Sequence, residues 1–594
     1  MKLKFNTKTA ILLTVGMSFA ISSCKKLVDV EPKTTVGIAN MYRNVFDADA
    51  AVIGVYGKVM KMAKPYLLLN ELRGDLMDIT SNADLNLRQL SEQTATVNNP
   101  YIDPQPFYDV IVNCNDVLDN FKKMYAQSKL KLDEFNQRYS DVGAIRSWVY
   151  LQLGIHYGKI PYVTNPLVQL KDLKDSANFP MLTLPVLIDS LVAFTEKLPF
   201  TDDYPSGTTL QTVVDGYSTS KFFINKNVLL GDLYLWQGQY DKSADRFKRV
   251  MEINGPVGNS ELWYNQYRIS SFGNAGISYS RTFDFSSLVY TNGWRYLFER
   301  PQVDNEFNWE MIWSLPFDKN FDPVNPFIDL FSPNGGSYLV KPAQQAMDYW
   351  NAQTQTYVFT AATPTAGEVL RDNFPFDSRA NFTYRTINGQ PVIMKYLYNY
   401  LGTDNQPINA FNKTGKWFLF RAANLHLHYA EAANRAGKYK VAYALVNKGI
   451  GYTYDPFPGN SVSANRDVTN YQQTFLPWPY DFDARGGQAP AYRNTWYRNI
   501  GIRGRANLKQ VTLPLTDSVT NVENMIITED ALELAYEGER WPDLLRVAIR
   551  RNDPAFIADK IYDKLRKSGL SAGAANAART KLMNKDWFLP FKFN

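Results

Sequence analysis

Apolar residues recur at spacings of three and four along much of the chain, which predicts a mostly helical fold. Val45, Ala48, Val52, Tyr56 and Val59 form one such stripe, and Phe107, Ile111, Cys114, Leu118 and Phe121 a second. A third runs through Val142, Ile145, Val149, Leu153 and His156, and its helix should stop near Gly158, with Pro161 just beyond. Cys114 and His156 fall on these apolar stripes, so both read as buried core residues rather than as a reactive thiol or a ligand.

The pattern also repeats. Gly238-Gln239-Tyr240 followed by Ser243 matches Gly437-Lys438-Tyr439 followed by Ala442, each between helical stretches (221–251 and 417–450). This spacing resembles the tetratricopeptide turn, in which glycine frees the turn, the aromatic fills the gap between helices and the small residue permits close packing. Gly231, Tyr234 and Phe247 extend the match in the first copy, and helical stretches at 107–156 and 527–551 could complete an array. Segments rich in Pro, Gly, Asn and aromatics, at 254–300, 318–338 and 452–499, are too long for plain connectors and read as binding loops or an irregular subdomain. Short strand-like runs occur at 309–317 and 392–398. The expected fold is therefore mostly α, a tetratricopeptide-like helical repeat scaffold over about 41–252 and 416–551. An irregular loop-rich portion occupies about 253–415 and 452–520, with a few short strands.

The first forty residues do not share the helical period. Lys2, Lys4 and Lys8 precede an apolar run from Ala10 to Ala20, too short to span a bilayer, and Ile21-Ser22-Ser23-Cys24 follows. This reads as a lipoprotein signal peptide over 1–23, with Cys24 acylated and 24–40 a tether. Only Cys114 then remains as a thiol, so no disulfide framework is possible and the core must hold the fold. Losing the three signal lysines takes the formal charge from +6 to about +3, nearly neutral at this length, which argues against nucleic acid as a partner. No later segment is apolar enough to span a membrane, leaving lipid as the expected anchor.

Chemistry-bearing motifs are sparse. His426 and His428 lie two apart, on different faces of a helix, and no Cys or third His stands near enough in sequence to suggest a metal set. There is no nucleophile elbow, phosphate loop or dinucleotide fingerprint. No catalytic residue, cofactor or metal is expected.

Several blocks, in order, resemble the SusD/RagB family of starch-utilisation-system-type outer-membrane lipoproteins. Leu27-Val28-Asp29 with Pro32 is similar to its post-lipobox segment. Phe107-Tyr108 with Ile111 and Asn115 resembles an aromatic-rich helix, and Arg146, Tyr150, Leu153, Tyr157-Gly158 and Pro161 a block ending in Tyr-Gly and proline. Asn308, Glu310 and 312–316 resemble a strand motif; Asp377 with Arg379 and Lys395-Tyr396 resemble two smaller signatures. Tyr429-Ala430-Glu431-Ala432, the block from Glu533 to Arg546, and Leu589-Pro590 resemble the family's C-terminal motifs. In the 533–546 block, charges at helical spacings of three and four (Glu537, Glu539, Arg540, Asp543, Arg546) and apolar Leu534, Trp541, Leu544 and Leu545 read as packing rather than active site.

The resemblance implies a non-enzymatic binding protein that captures oligosaccharide at the cell surface and passes it to a SusC-like TonB-dependent outer-membrane transporter. Peptide capture, scaffolding without a ligand, or an unrecognised surface glycosidase, whose carboxylate pair would be a tertiary property, are the alternatives. Ligands would sit on the loop-rich face, where flat aromatics stack on sugar C–H faces and polar groups bond the hydroxyls. The candidates are Arg73, Asp75 and Tyr101 at the early loop, Trp263, Tyr264, Tyr267, Trp294 and Tyr296 in the long middle segment, and Tyr349 and Trp350 beyond it. Lys25-Lys26 come before the first acids, Asp29 and Glu31, whereas acids soon after the cysteine often mark outward display in the family. Periplasmic retention is thus the alternative to an exterior-facing anchor. Cys24→Ala is expected to release the protein from the membrane fraction without lowering its melting temperature. Unchanged membrane association of that variant, in cells lacking the transporter, would contradict lipidation.

Overall fold

Asn44 opens the first long helix: its side-chain oxygen accepts from the Phe46 and Asp47 amides, satisfying donors that the helix itself leaves open. The helix, α1 (Val45–Met60), buries Ala48, Val52, Val55, Tyr56 and Val59. Its position comes from a computed structural model that describes residues 41–251, 297–299, 310–359, 370–454, 474–482 and 501–590, apart from 168–171, 173, 206 and 507. α2 (Gln105–Ala126) buries the whole second stripe, and burial pushes the Cys114 thiol up to about 12, which makes it inert at neutral pH. α3 (Leu132–Tyr157) ends at Gly158, whose φ of +72° suits glycine, as the sequence predicts.

Helices then stack on their chain neighbours. α4 (Leu184–Thr195) lies on α3, and α5 (Lys226–Gln237) on α4. α6 (Tyr240–Met251) folds back on α5 through Gly238, at φ +80°. α7 (Ala422–Arg435) packs on α6, and α8 (Tyr439–Val446) returns on α7 through Gly437, at φ +78°. The two repeats found in the sequence are thus adjacent in space, although some 170 residues separate them along the chain. α9 (Ser518–Glu533) lies on α7 and α8, followed by α10 (Arg540–Arg551), α11 (Ala555–Lys567) and α12 (Ala572–Met583). The helical array therefore runs past 551, and one apolar core runs through it.

The described strand pairs are two-stranded and antiparallel. β1 (Met77–Ile79) pairs with β3 (Val340–Pro342), and β2 (Met311–Phe317) with β6 (Gly415–Arg421), while β4 (Tyr384–Ile387) and β5 (Gln390–Ile393) form a hairpin. Residues 417–421, expected to be helical, are strand. Every residue of β6 is buried, and such a continuous apolar run carries no period to tell strand from helix. The expected strand at 392–398 is only its first part, with a turn from Lys395 onward.

At the first repeat the close packing is measurable. A Cβ on Gly231 would lie 2.5 Å from the Phe247 ring, and Ser243 Oγ donates to the Gly231 carbonyl at 2.8 Å. Gly231→Ala should therefore destabilise the fold by about 1–3 kcal/mol through overpacking. A urea midpoint equal to wild type would show that α5 and α6 are not held this tightly.

Candidate functional site

The block from Glu533 to Arg546 crosses the turn between α9 and α10. Gly538, at φ +96°, lets the backbone pass where a Cβ would lie 2.3 Å from the Tyr66 ring. Glu71, on a π-helical turn (Leu68–Leu72), points its carboxylate at this turn and accepts from the Tyr536, Gly538 and Glu539 amides at 3.2, 2.7 and 3.1 Å. It caps α10 from another part of the chain. Burial raises its pKa to about 7, against the amides that hold it down.

Most charges of the block are buried, but few pair along their own helix. Asp543–Arg546, at 2.7 Å, is the i,i+3 pair; the others reach distant elements. Arg540 grips Asp75 at 2.6 and 2.9 Å, and Arg546 grips Glu431 at 3.0 and 2.5 Å. Glu533 takes Arg379 at 2.6 Å, Arg421 at 3.0 Å and Arg505 at 2.8 Å. Around it, Arg379 also holds Asp377 and Glu529, Arg421 holds Glu310 and Glu537, Lys395 holds Glu537, and Arg503 holds Glu529. Burial disfavours the Glu533 carboxylate, but Arg505, Arg421 and Arg379 overcome it and hold its pKa at about 2.

The candidate ligand residues divide three ways. Arg73, Asp75 and Trp350 do not face a binding surface, contrary to expectation: all three are buried. Arg73 stacks 3.8 Å from the Trp541 ring and donates to the Trp587 carbonyl, Asp75 is the partner of Arg540, and Trp350 Nε1 donates to the Leu532 carbonyl at 3.1 Å. Their types suit either role, and exposure is not encoded in type. Tyr101 and Tyr349 are half-buried, with hydroxyls donating to Asp84 at 3.0 Å and Asp75 at 3.1 Å; Tyr349 thus joins the Asp75–Arg540 pair and Tyr101 stands apart. Trp263, Tyr264, Tyr267, Trp294 and Tyr296 lie outside the described residues.

A second cluster, not apparent from the sequence, closes around His428. Its Nδ1 lies 2.8 Å from Asp232 Oδ1 on α5, and its Nε2 lies 3.8 Å from both Glu539 and Asp543 at the start of α10. These three ligand-capable atoms fall within 4.8 Å of one another. The i,i+4 spacing of Glu539 and Asp543 marks them as one face of a helix, but nothing in sequence ties them to His428 more than a hundred residues earlier. Burial opposes the imidazolium, yet Asp232, then Glu539 and Asp543, lift the His428 pKa to about 10; burial raises Glu539 to about 8. The site borders a cavity of about 50 Å³ lined by Tyr66, Trp148, Trp236 and Trp313. That is room for a few waters and far below the roughly 300 Å³ of a small-molecule pocket.

In overall structure the chain has the SusD-like fold. It is similar to a SusD superfamily protein from Bacteroides thetaiotaomicron (TM-score 0.54, 15% identity, 89% of this chain and 98% of that one). It is also similar to a laminarin-binding SusD-like protein (0.51, 16%, 92% and 96%) and to surface glycan-binding protein A from Bacteroides uniformis (0.50, 15%, 86% and 90%). No family model matches the chain, and no curated protein matches it in sequence.

The ionic core has a pH signature. Glu533, lowered from 4.5 to about 2, contributes stability that is complete above pH 4.5 and lost as pH falls toward 2. Glu71 and Glu539 are raised, so their contributions are present below pH 4.5 and decay as pH rises through about 7 and about 8. The acid limb thus isolates the lowered carboxylates. Between pH 4.5 and 2 the unfolding free energy should fall by on the order of 3 kcal/mol from Glu533 alone. A urea midpoint constant across that window would contradict the assignment.

Proposed function

We propose that this chain is a lipid-anchored, cell-surface glycan-binding protein that captures oligosaccharide and hands it to a SusC-like TonB-dependent outer-membrane transporter, without catalysis. The observation that carries this reading is the SusD-like fold, shared over most of the chain with proteins described as glycan-binding. The aromatic-rich segments and the Cys24 lipobox are consistent with it. Among the described residues no helix is long and apolar enough to cross a membrane, which accords with anchoring by lipid.

The described interior also constrains where capture happens. Its carboxylates around Glu533 are committed to arginine and lysine partners, and the cavity beside His428 has room for a few waters. A glycosidase needs two carboxyl groups facing a substrate-sized opening. We infer recognition on the loop-rich segments, with Trp263, Tyr264, Tyr267, Trp294 and Tyr296 as the stacking candidates and half-buried Tyr101 and Tyr349 as further contacts.

Replacing Trp263 or Trp294 by Ala should weaken oligosaccharide binding by about 1–3 kcal/mol, up to roughly a hundredfold in affinity, with little change in melting temperature. Calorimetry against a panel of soluble polysaccharides and peptides provides the measurement. Binding to peptides alone would move capture to that class. Glycan binding indifferent to both substitutions would remove these tryptophans from the site.

A further inference from the structure

The two buried charge clusters differ in balance. Around Glu533, the cations Arg379, Lys395, Arg421, Arg503 and Arg505 match the anions Glu310, Asp377, Glu529, Glu533 and Glu537 one for one. Around His428, Asp543 pairs with Arg546, which Asp530 and Glu539 also face and which grips Glu431 alongside Arg550, while Asp232 faces His428; among the described residues the acids at the cluster outnumber the cations paired with them. Buried acids in excess of their cations are satisfied either by taking up protons or by a bound cation, and the geometry distinguishes the two.

The hydrogen bonds point to where it would sit. His428 Nδ1 faces Asp232, so a neutral ring that donates there would present its Nε2 lone pair to Glu539 and Asp543. Asn424 donates to Glu539 Oε1 at 3.0 Å and leaves Oε2 facing His428. Arg546 donates to Asp543 Oδ1, the oxygen 3.8 Å from His428 Nε2, while Asp543 Oδ2 is buried and has no hydrogen-bond partner among the described residues. His428 Nε2 is in the same condition. Were His428 simply an imidazolium bonded to these acids, one Nε2–oxygen distance would be near 2.8 Å. Both are 3.8 Å, close to the roughly 3.4 Å between neighbouring donors around a tetrahedral zinc ion.

We propose that His428 Nε2, Glu539 and Asp543 bind one divalent transition-metal ion of the zinc type, with water from the adjoining cavity completing its shell. The imidazole ligand disfavours calcium and magnesium, which take all-oxygen shells. The cavity admits water ligands, and Glu539, 12% exposed at its side chain, marks the way in. The ion would tie α7 to α10 directly and α5 through Asp232, joining both tetratricopeptide-like repeats to the signature helix. The role is structural and does not rest on the glycan-binding reading.

The full chain, stripped with a chelator and equilibrated with zinc chloride, should retain one equivalent of zinc by elemental analysis after gel filtration, and its melting temperature should rise with zinc concentration. Cobalt(II) should give the intense visible absorption of a four-coordinate site. His428→Gln should abolish the uptake, and Asp232→Asn should weaken it about 10- to 100-fold through loss of imidazole orientation. If His428→Gln does not fold, Glu539→Gln, at the most exposed of the three ligands, serves instead. Absence of retained zinc in the wild-type chain, uptake of calcium in its place, or equal zinc uptake by the folded variants would each overturn the proposal.

Discussion

Glu533 is buried against three guanidinium groups, Arg379, Arg421 and Arg505, each brought by a different part of the chain. Taking these charges out of water is costly, and their mutual attraction offsets that cost only when every partner is in place. Removing one partner of such a set typically costs 3–5 kcal/mol because another charge is left buried and uncompensated. The arrangement therefore acts as a geometric condition on the whole fold. Arg421 closes strand β6, Glu310 immediately precedes β2, and Arg379 follows a turn from the loop-rich portion. Arg379 and Arg421 must meet the end of α9 together, with Glu310 joined to them through Arg421. Helix stacking supplies the bulk of the burial, while this network specifies how the irregular half docks on it.

Glu71 and Asp75 extend the same condition to the N-terminal helices. One caps α10 and the other anchors Arg540, so the turn between α9 and α10 is defined from a segment more than 460 residues earlier. The peptide dipoles at the start of α10 favour a carboxylate there. With Gly538 pressed against Tyr66, the turn has little freedom to move. Docking of α7 and α5 against α10 is what brings His428 and Asp232 to Glu539 and Asp543, so the second cluster depends on the first.

Periodicity made the repeat helices legible. The Gly238 and Gly437 turns, the end of α3 at Gly158 and the burial of Cys114 and Trp541 were all available from local pattern. What escaped was non-local or aperiodic. β6 carries apolar residues on both faces and so gives no alternation, and the charges of the 533–546 block look like helix-surface pairs until their partners fold in from elsewhere. Arg73 and Asp75 show the limit most clearly. An arginine and an aspartate near a loop suit sugar recognition as well as they suit an interior ion pair or a stack on Trp541. Only the packing separates the two.

These constraints divide the molecule by function. Around Glu533 the charges are neutralised by partners from several elements, and beside them aromatics such as Tyr66, Trp148 and Trp417 pack on one another. A ligand as large as an oligosaccharide cannot be accommodated there without breaking pairs whose loss costs more than sugar stacking returns. On the proposed reading, capture would fall to the aromatic-rich segments that the ionic core does not claim. The block around Trp541, whose side chains are spent on packing and buried ion pairs, therefore carries the fold and says little about any ligand.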